Sequence, residues 1–170
     1  RIDMRNPSRT PWYDIVDVTK DISTFLHNQE RANTTAPLII IVDNGSSEQD
    51  LLAIAKAKLF GAQVMVIDHH DPGSLDEQGK SAVCKETVAH VNPHLLGVKE
   101  NFSASMLCFQ LANYINGEVK PKADLAAMGA VADRCDGEEV AILLQRAGFD
   151  RDYAWRLGRI ADYEIFHTKM

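Results

Sequence analysis

Cysteine is scarce in this sequence, and the few present have no motif spacing. Cys84, Cys108 and Cys135 are the only three in 170 residues, and no two stand in a CxxC arrangement. An odd, widely spaced set argues against a disulfide framework and against a thiolate zinc site. It predicts reduced core thiols in a cytoplasmic protein, with Cys135, two residues after Asp133, as the one rival for a site role. Long apolar runs are missing too. Nothing approaches the ~18 consecutive apolar residues of a membrane helix, and no signal peptide is visible. Positive charge is short: 18 Lys and Arg face 24 Asp and Glu, for a net charge of −6. That balance suits non-specific duplex binding poorly, because such binding needs a dense basic surface. It still permits a local nucleic-acid groove, or a metal that supplies the positive charge. No internal repeat, low-complexity tract or internal linker interrupts the chain. With 45% hydrophobic and 25% charged residues, one globular domain over 1–170 is expected.

The pattern of apolar residues predicts the elements. Residues 1–12 are polar and irregular. Over 14–29, Ile15, Val18, Ile22 and Phe25/Leu26 form a helical stripe, and 30–36 is a loop. Residues 38–42, LIIIV, are β-branched almost throughout and predict a strand buried on both faces of a parallel sheet. Asp43-Asn44-Gly45 is turn chemistry, and Ser46 or Ser47 caps a helix from Glu48 to Phe60. Gly61 stops that helix, and QVMVI at 63–67 is the next strand. Strand, turn, helix, glycine and strand make a βαβ unit with parallel strands. Residues 74–87 are expected to be a surface loop, and 88–92 a short third strand closed by Asn92-Pro93. Helices should follow at about 103–116, 122–133, 137–147 and 150–165. The class is α/β: a Rossmann-like parallel sheet with helices on both faces and a helical C-terminal part.

The second strand ends in Asp68-His69-His70. In open parallel sheets, ligands bind at the carboxyl ends of the strands. Asp43 ends the preceding strand, so the βαβ unit should bring Asp43 and the triplet to one rim. Asp133, at the end of the small-residue helix AAMGAVAD, is a third candidate for convergence. Carboxylate and imidazole without thiolate favour Mn²⁺ or Mg²⁺ over zinc. Asp68 is placed to support a metal-bound imidazole. A cation would explain why charged groups sit at a buried strand end. His27 and His167 read as surface helix residues and His90 as a core or edge histidine; His94 is left open.

The run IIIVDNGSS ending at Ser47, VIDHHDPG (66–73), HVNPHLLG (90–97), SASMLCFQLA (103–112) and DLAAMGAVADRCDG (124–137) resembles the DHH phosphoesterase superfamily. Within it, the order and spacing over 38–137 are most similar to the RecJ-like single-strand exonuclease branch, in particular an archaeal multidomain subgroup. That resemblance implies a two-metal phosphodiesterase acting on single-stranded DNA or RNA, with replication or repair proteins as partners. It implies metal ligation by Asp43, His69 and Asp133, with Asp68 supporting His69. It implies that His70 faces the scissile phosphate and, more weakly, that Ser103 and Ser105 lie near substrate. Members of the family begin with a strand and an HxDxD motif, and carry a second domain. Neither is found here: the acids of Asp14 to Asp21 have the wrong spacing. The chain therefore reads as a fragment, and by itself is expected to hold one ion weakly and to hydrolyse little. The competing readings are a phosphoesterase of short oligonucleotides, cyclic dinucleotides or pyrophosphate, and an inactive DHH module used as an interaction scaffold.

Overall fold

The computed structural model describes residues 19–20, 22–24, 36–117 and 122–168, with side chains to 164. Contacts divide the chain into two compact units, Arg1–Val98 and Lys99–Met170. Most of the expected helix at 14–29, His27, the Asp14 to Asp21 acids and the side chain of His167 lie outside the described residues. Among the described residues, no helix is long and apolar enough to cross a membrane.

The first unit is built on a parallel sheet of β1 (Leu38–Val42), β2 (Gln63–Ile67) and β3 (Ala89–Val91), in that spatial order. Between β1 and β2 a 3-10 turn, Glu48–Asp50, runs into α1 (Leu51–Leu59). Ser47 is the N-cap: its backbone N–H and hydroxyl both donate to the Asp50 carboxylate. Ile41, Val64 and Val66 pack with Ile54, Ala57, Val83 and Ile22 into one apolar cluster. Each such fully buried large aliphatic side chain contributes about 1.5–3 kcal/mol.

Two expectations are corrected here. First, β1 is not buried on both faces. Ile41 is covered, but Leu38, Ile40 and Val42 are 52%, 52% and 47% exposed. Side chains alternate along a strand, and the apolar cluster takes only the Ile39 and Ile41 side. Second, 74–87 is not all loop. Five residues, Ala82–Glu86, form α2, because Ser81 caps Cys84 N–H and Val83 is buried beneath it.

The second unit is helical: α3 (Ala104–Asn116), α4 (Ala123–Ala132), α5 (Glu138–Ala147) and α6 (Arg151–Thr168). The small-residue helix α4 is central, and α3, α5 and α6 all pack on it. Ala126, Ala127 and Ala130 are buried there with Met106, Phe109, Val140, Leu143 and Ala154. A side chain at Gly129 would meet Ser105 Cβ at 2.6 Å, and one at Gly158 would meet Ala132 Cβ at 2.9 Å. Bulk at either glycine would therefore push α3 or α6 away from α4.

Gly45 has the equivalent role in the first unit. Its φ is +95°, and an added Cβ would stand 3.0 Å from Ile41 Cγ2 and 3.4 Å from Val66. Both the backbone conformation and the contact oppose a side chain. Gly45→Ala is expected to lose about 1–3 kcal/mol of stability, read as a lowered urea midpoint at unchanged m-value. An unchanged midpoint would show that the turn relaxes freely.

Candidate metal centre

The strand register builds this site. Val42 pairs with Ile67, and Ile67 with Val91. The next residue of each strand is Asp43, Asp68 and Asn92. The ladder continues through them: Asp43 N–H donates to Ile67 O at 3.0 Å, and Asp68 N–H donates to Val91 O at 3.0 Å. Two carboxylates and one amide therefore stand in a row across the carboxyl edge of the sheet. Asp43 adopts φ 62°, a left-handed conformation that aspartate tolerates better than most residues.

Asp68 is 1% exposed and fully engaged. Its Oδ1 accepts from His69 N–H at 2.8 Å, from His70 N–H at 3.3 Å and from His70 Nδ1 at 2.7 Å. Its Oδ2 accepts from Ser46 N–H at 3.1 Å. Burial pushes its pKa up, but the hydrogen bonds from His70 and Ser46 outweigh burial and hold it below the ordinary carboxylate value. This differs from the expected pairing, because the imidazole tied to Asp68 belongs to His70 and not to His69. Asp68 accepts from the main-chain N–H of His69.

The His69 ring meets Asp43 instead, with Nε2 3.2 Å from Oδ1. Two ligands about 2.1 Å from an ion and at right angles to each other lie about 3 Å apart, so this spacing fits a shared cation. The His70 ring is 62% exposed at the side chain. Its Nδ1 proton is committed to Asp68, which leaves Nε2 as the working nitrogen. Ligand atoms of Asp43, Asp68, His69 and His70 all lie within 4.8 Å of one another. The donor set of carboxylate oxygen and imidazole nitrogen fits Mn²⁺ or Mg²⁺.

Three residues missed as site components surround this cluster. Ser46 is buried, and its Oγ accepts from Asn92 Nδ2 at 3.0 Å and contacts His90 Nε2 at 2.9 Å. Asn92 Nδ2 also donates to His70 O at 2.9 Å, while its Oδ1 accepts from His94 N–H at 3.0 Å. His90 Nδ1 reaches Cys84 Sγ at 3.3 Å and Ser81 Oγ at 3.4 Å. Burial lowers the His90 pKa, with Asp68 opposing that shift only in part. His94, open on sequence, comes to the rim: its Nε2 donates to His69 O at 3.1 Å. The signal for Asn92 was its place directly after a strand, at the level of Asp43 and Asp68.

The other candidates lie in the second unit. Asp133 ends α4 and is exposed, with its N–H bonded to Gly129 O at 3.0 Å. The Ser103 hydroxyl is buried as the N-cap of α3 and lies 2.8 Å from Ser105 Oγ. Ser105 in turn donates to Ala126 O at 3.3 Å, tying α3 to α4. Both hydroxyls thus take part in helix capping and packing. Cys135 is fully buried; burial, then the charge of Asp133, push its thiol pKa up, which disfavours a thiolate ligand.

A family model described as "DHH family, N-terminal domain" matches residues 7–132. The match contains the whole strand-end cluster and stops one residue short of Asp133. The chain is 35% identical over 181 aligned residues to "Uncharacterized protein MJ1198" of Methanocaldococcus jannaschii, covering 97% of this chain and 24% of that protein. A solved structure of a DHH domain, described as coming from a member of a family of ribosomal proteins, is also 35% identical. It superposes with a TM-score of 0.87 over 98% of this chain and 39% of its own. The chain thus spans well under half of either relative.

Proposed function

The chain belongs to the DHH family, whose members are metal-dependent phosphoesterases, and from that premise we propose that it is part of a phosphodiesterase hydrolysing single-stranded DNA or RNA from an end. The observation that carries this reading is the row of Asp43 and Asp68 with His69 and His70, whose ligand atoms converge within 4.8 Å. A bound Mn²⁺ or Mg²⁺ would activate a water and offset charge at phosphorus. Asp43 and His69 would hold it, with Asp133 as a further ligand on the family resemblance. Asp68 fixes the His70 ring, and His70 Nε2 then meets a phosphoryl oxygen or the leaving group. The polymer substrate is supported by the similarity to RecJ-like exonucleases, as are replication or repair partners. Three cysteines kept as thiols, with no disulfide among them, support a reducing, cytoplasmic setting.

The test is release of nucleotides from end-labelled single strands of DNA and RNA by the longer protein, with Mn²⁺ and with chelator. Cyclic dinucleotides and pyrophosphate are assayed beside them. Mn²⁺-dependent shortening of single strands, lost in Asp43→Ala, is expected. Turnover confined to the small substrates would replace this reading with a small-molecule phosphoesterase. No Mn²⁺-dependent hydrolysis of any of them would leave an interaction module.

A further inference from the structure

Beneath the cluster lies a buried polar relay that neither phosphoester chemistry nor core packing requires. It runs from His90 through Ser46 and Asn92 to the residues that grip the site. We propose that His90 is a positioning residue for the metal centre, acting through the Ser46 hydroxyl on Asp68 and His70. This rests on the metal-site reading above.

Hydrogen-bond accounting gives the relay a direction. Ser46 is 1% exposed and Asn92 is 4% exposed, so each polar hydrogen there needs a partner. Asn92 uses its whole amide: one hydrogen goes to Ser46 Oγ, one to His70 O, and its oxygen takes His94 N–H. Ser46 Oγ is thereby an acceptor and still has a proton to donate. Of the contacts described, only His90 Nε2, at 2.9 Å, offers that proton an acceptor. His90 then carries its own proton on Nδ1, facing Ser81 Oγ and Cys84 Sγ. Ser81 in turn donates to Cys84 Sγ at 3.4 Å. The His90 Nδ1 proton is the one shared donor, between Ser81 Oγ at 3.4 Å and Cys84 Sγ at 3.3 Å; the Ser46 and Asn92 hydrogens each have a single partner.

The two outputs of the relay are specific. The Ser46 main chain donates to Asp68 Oδ2, and Asn92 holds the His70 carbonyl. Both lie directly behind the groups that would meet metal and phosphate. If Ser46 loses its acceptor, its hydroxyl must rotate away, the Asn92 amide loses a fixed partner, and Asp68 and His70 lose their preset geometry. Supporting hydrogen bonds of this kind typically matter by 10–100-fold in metal affinity.

Two substitutions at one position separate positioning from packing. The glutamine amide reaches where Nε2 stood and can accept from Ser46. The asparagine amide mimics Nδ1 and cannot. Mn²⁺ affinity is measured by calorimetry on this chain, with melting of the metal-free protein alongside. His90→Asn is expected to bind Mn²⁺ about tenfold more weakly, and His90→Gln close to wild type. Ser46→Ala cuts the same bond from the other side and should lose a similar factor, even if His90→Asn folds poorly. The double variant should lose no more than either single one, because both remove one interaction. Equal losses in the asparagine and glutamine variants, additive losses in the double variant, or wild-type affinity throughout would overturn the proposal. A wild-type chain that binds no Mn²⁺ would instead overturn the metal-site reading, and the relay's role with it.

Discussion

Asp68→Asn is expected to reduce turnover by up to about 10⁴-fold, the loss seen when a buried carboxylate that orients a catalytic imidazole is made an amide. The side chain keeps its shape but cannot keep its bonds. In the wild type, Oδ1 takes three hydrogens, from His69 N, His70 N and His70 Nδ1, while Oδ2 takes Ser46 N–H. An asparagine must turn its NH₂ toward one side or the other. Facing Ser46, it sets donor against donor and leaves one buried N–H unpaired. Facing the histidines, it abandons three. Nor can it favour the Nδ1–H form of His70 as a carboxylate does. Each orphaned buried donor costs about 1–3 kcal/mol, so the variant should melt lower as well as turn over more slowly. Turnover within tenfold of wild type would show that the Asp68–His70 contact is structural only.

The same substitution has a pH signature. Asp68 has a folded pKa below its ordinary value of 3.8. The unfolded chain therefore takes up this proton first as pH falls. The stabilisation is fully present above the unfolded value and is lost on acidification through the folded one. Asp68→Asn removes that component, so its stability should fall less steeply below about pH 4. Urea midpoints for both proteins, measured across the acid range, check the sign.

The parts of the fold visible in sequence were those set by local patterning. β1 and β2 fall at 38–42 and 63–67 because β-branched runs between turn residues have few other uses. The strand-end position of Asp43 and of the DHH triplet followed from the same runs. What sequence did not reveal depends on tertiary placement. The five-residue α2 is too short for a periodic signal, and a single cap from Ser81 with one buried valine sustains it. The exposed side of β1 depends on which helices return to the sheet, which a β-branched run does not specify. Asn92 looked like punctuation before Pro93, although the parallel register puts it level with two carboxylates. The serines 103 and 105 were singled out for their motif, but their hydroxyls serve the α3 cap and the α3–α4 contact.

The adjacent histidines should separate cleanly, because the structure holds them differently. The His69 ring is largely covered, 13% exposed at the side chain, and lies against Asp43 at 3.2 Å. The His70 ring is mostly open, and it is anchored through Nδ1 to Asp68 at 2.7 Å. In this assignment His69 Nε2 and Asp43 Oδ1 share the ion, and His70, as an imidazolium that holds Asp68 through Nδ1–H, is left to donate its Nε2 proton to a phosphoryl oxygen where charge develops. His69→Ala should therefore lower Mn²⁺ affinity together with rate. His70→Ala should lower rate by roughly 10²–10⁴-fold and leave Mn²⁺ affinity nearly intact. His70→Asn sharpens the test. Its amide can keep the Asp68 contact while nothing replaces Nε2, so it should be as slow as the alanine variant yet melt closer to wild type. The measurement is calorimetric Mn²⁺ titration of all three variants beside a single-turnover assay in the longer protein. Equal loss of Mn²⁺ affinity at the two positions would make both imidazoles ligands. Asp68 would then be the carboxylate behind a metal-bound His70, and the proton donor to the leaving group would have to come from elsewhere on the rim.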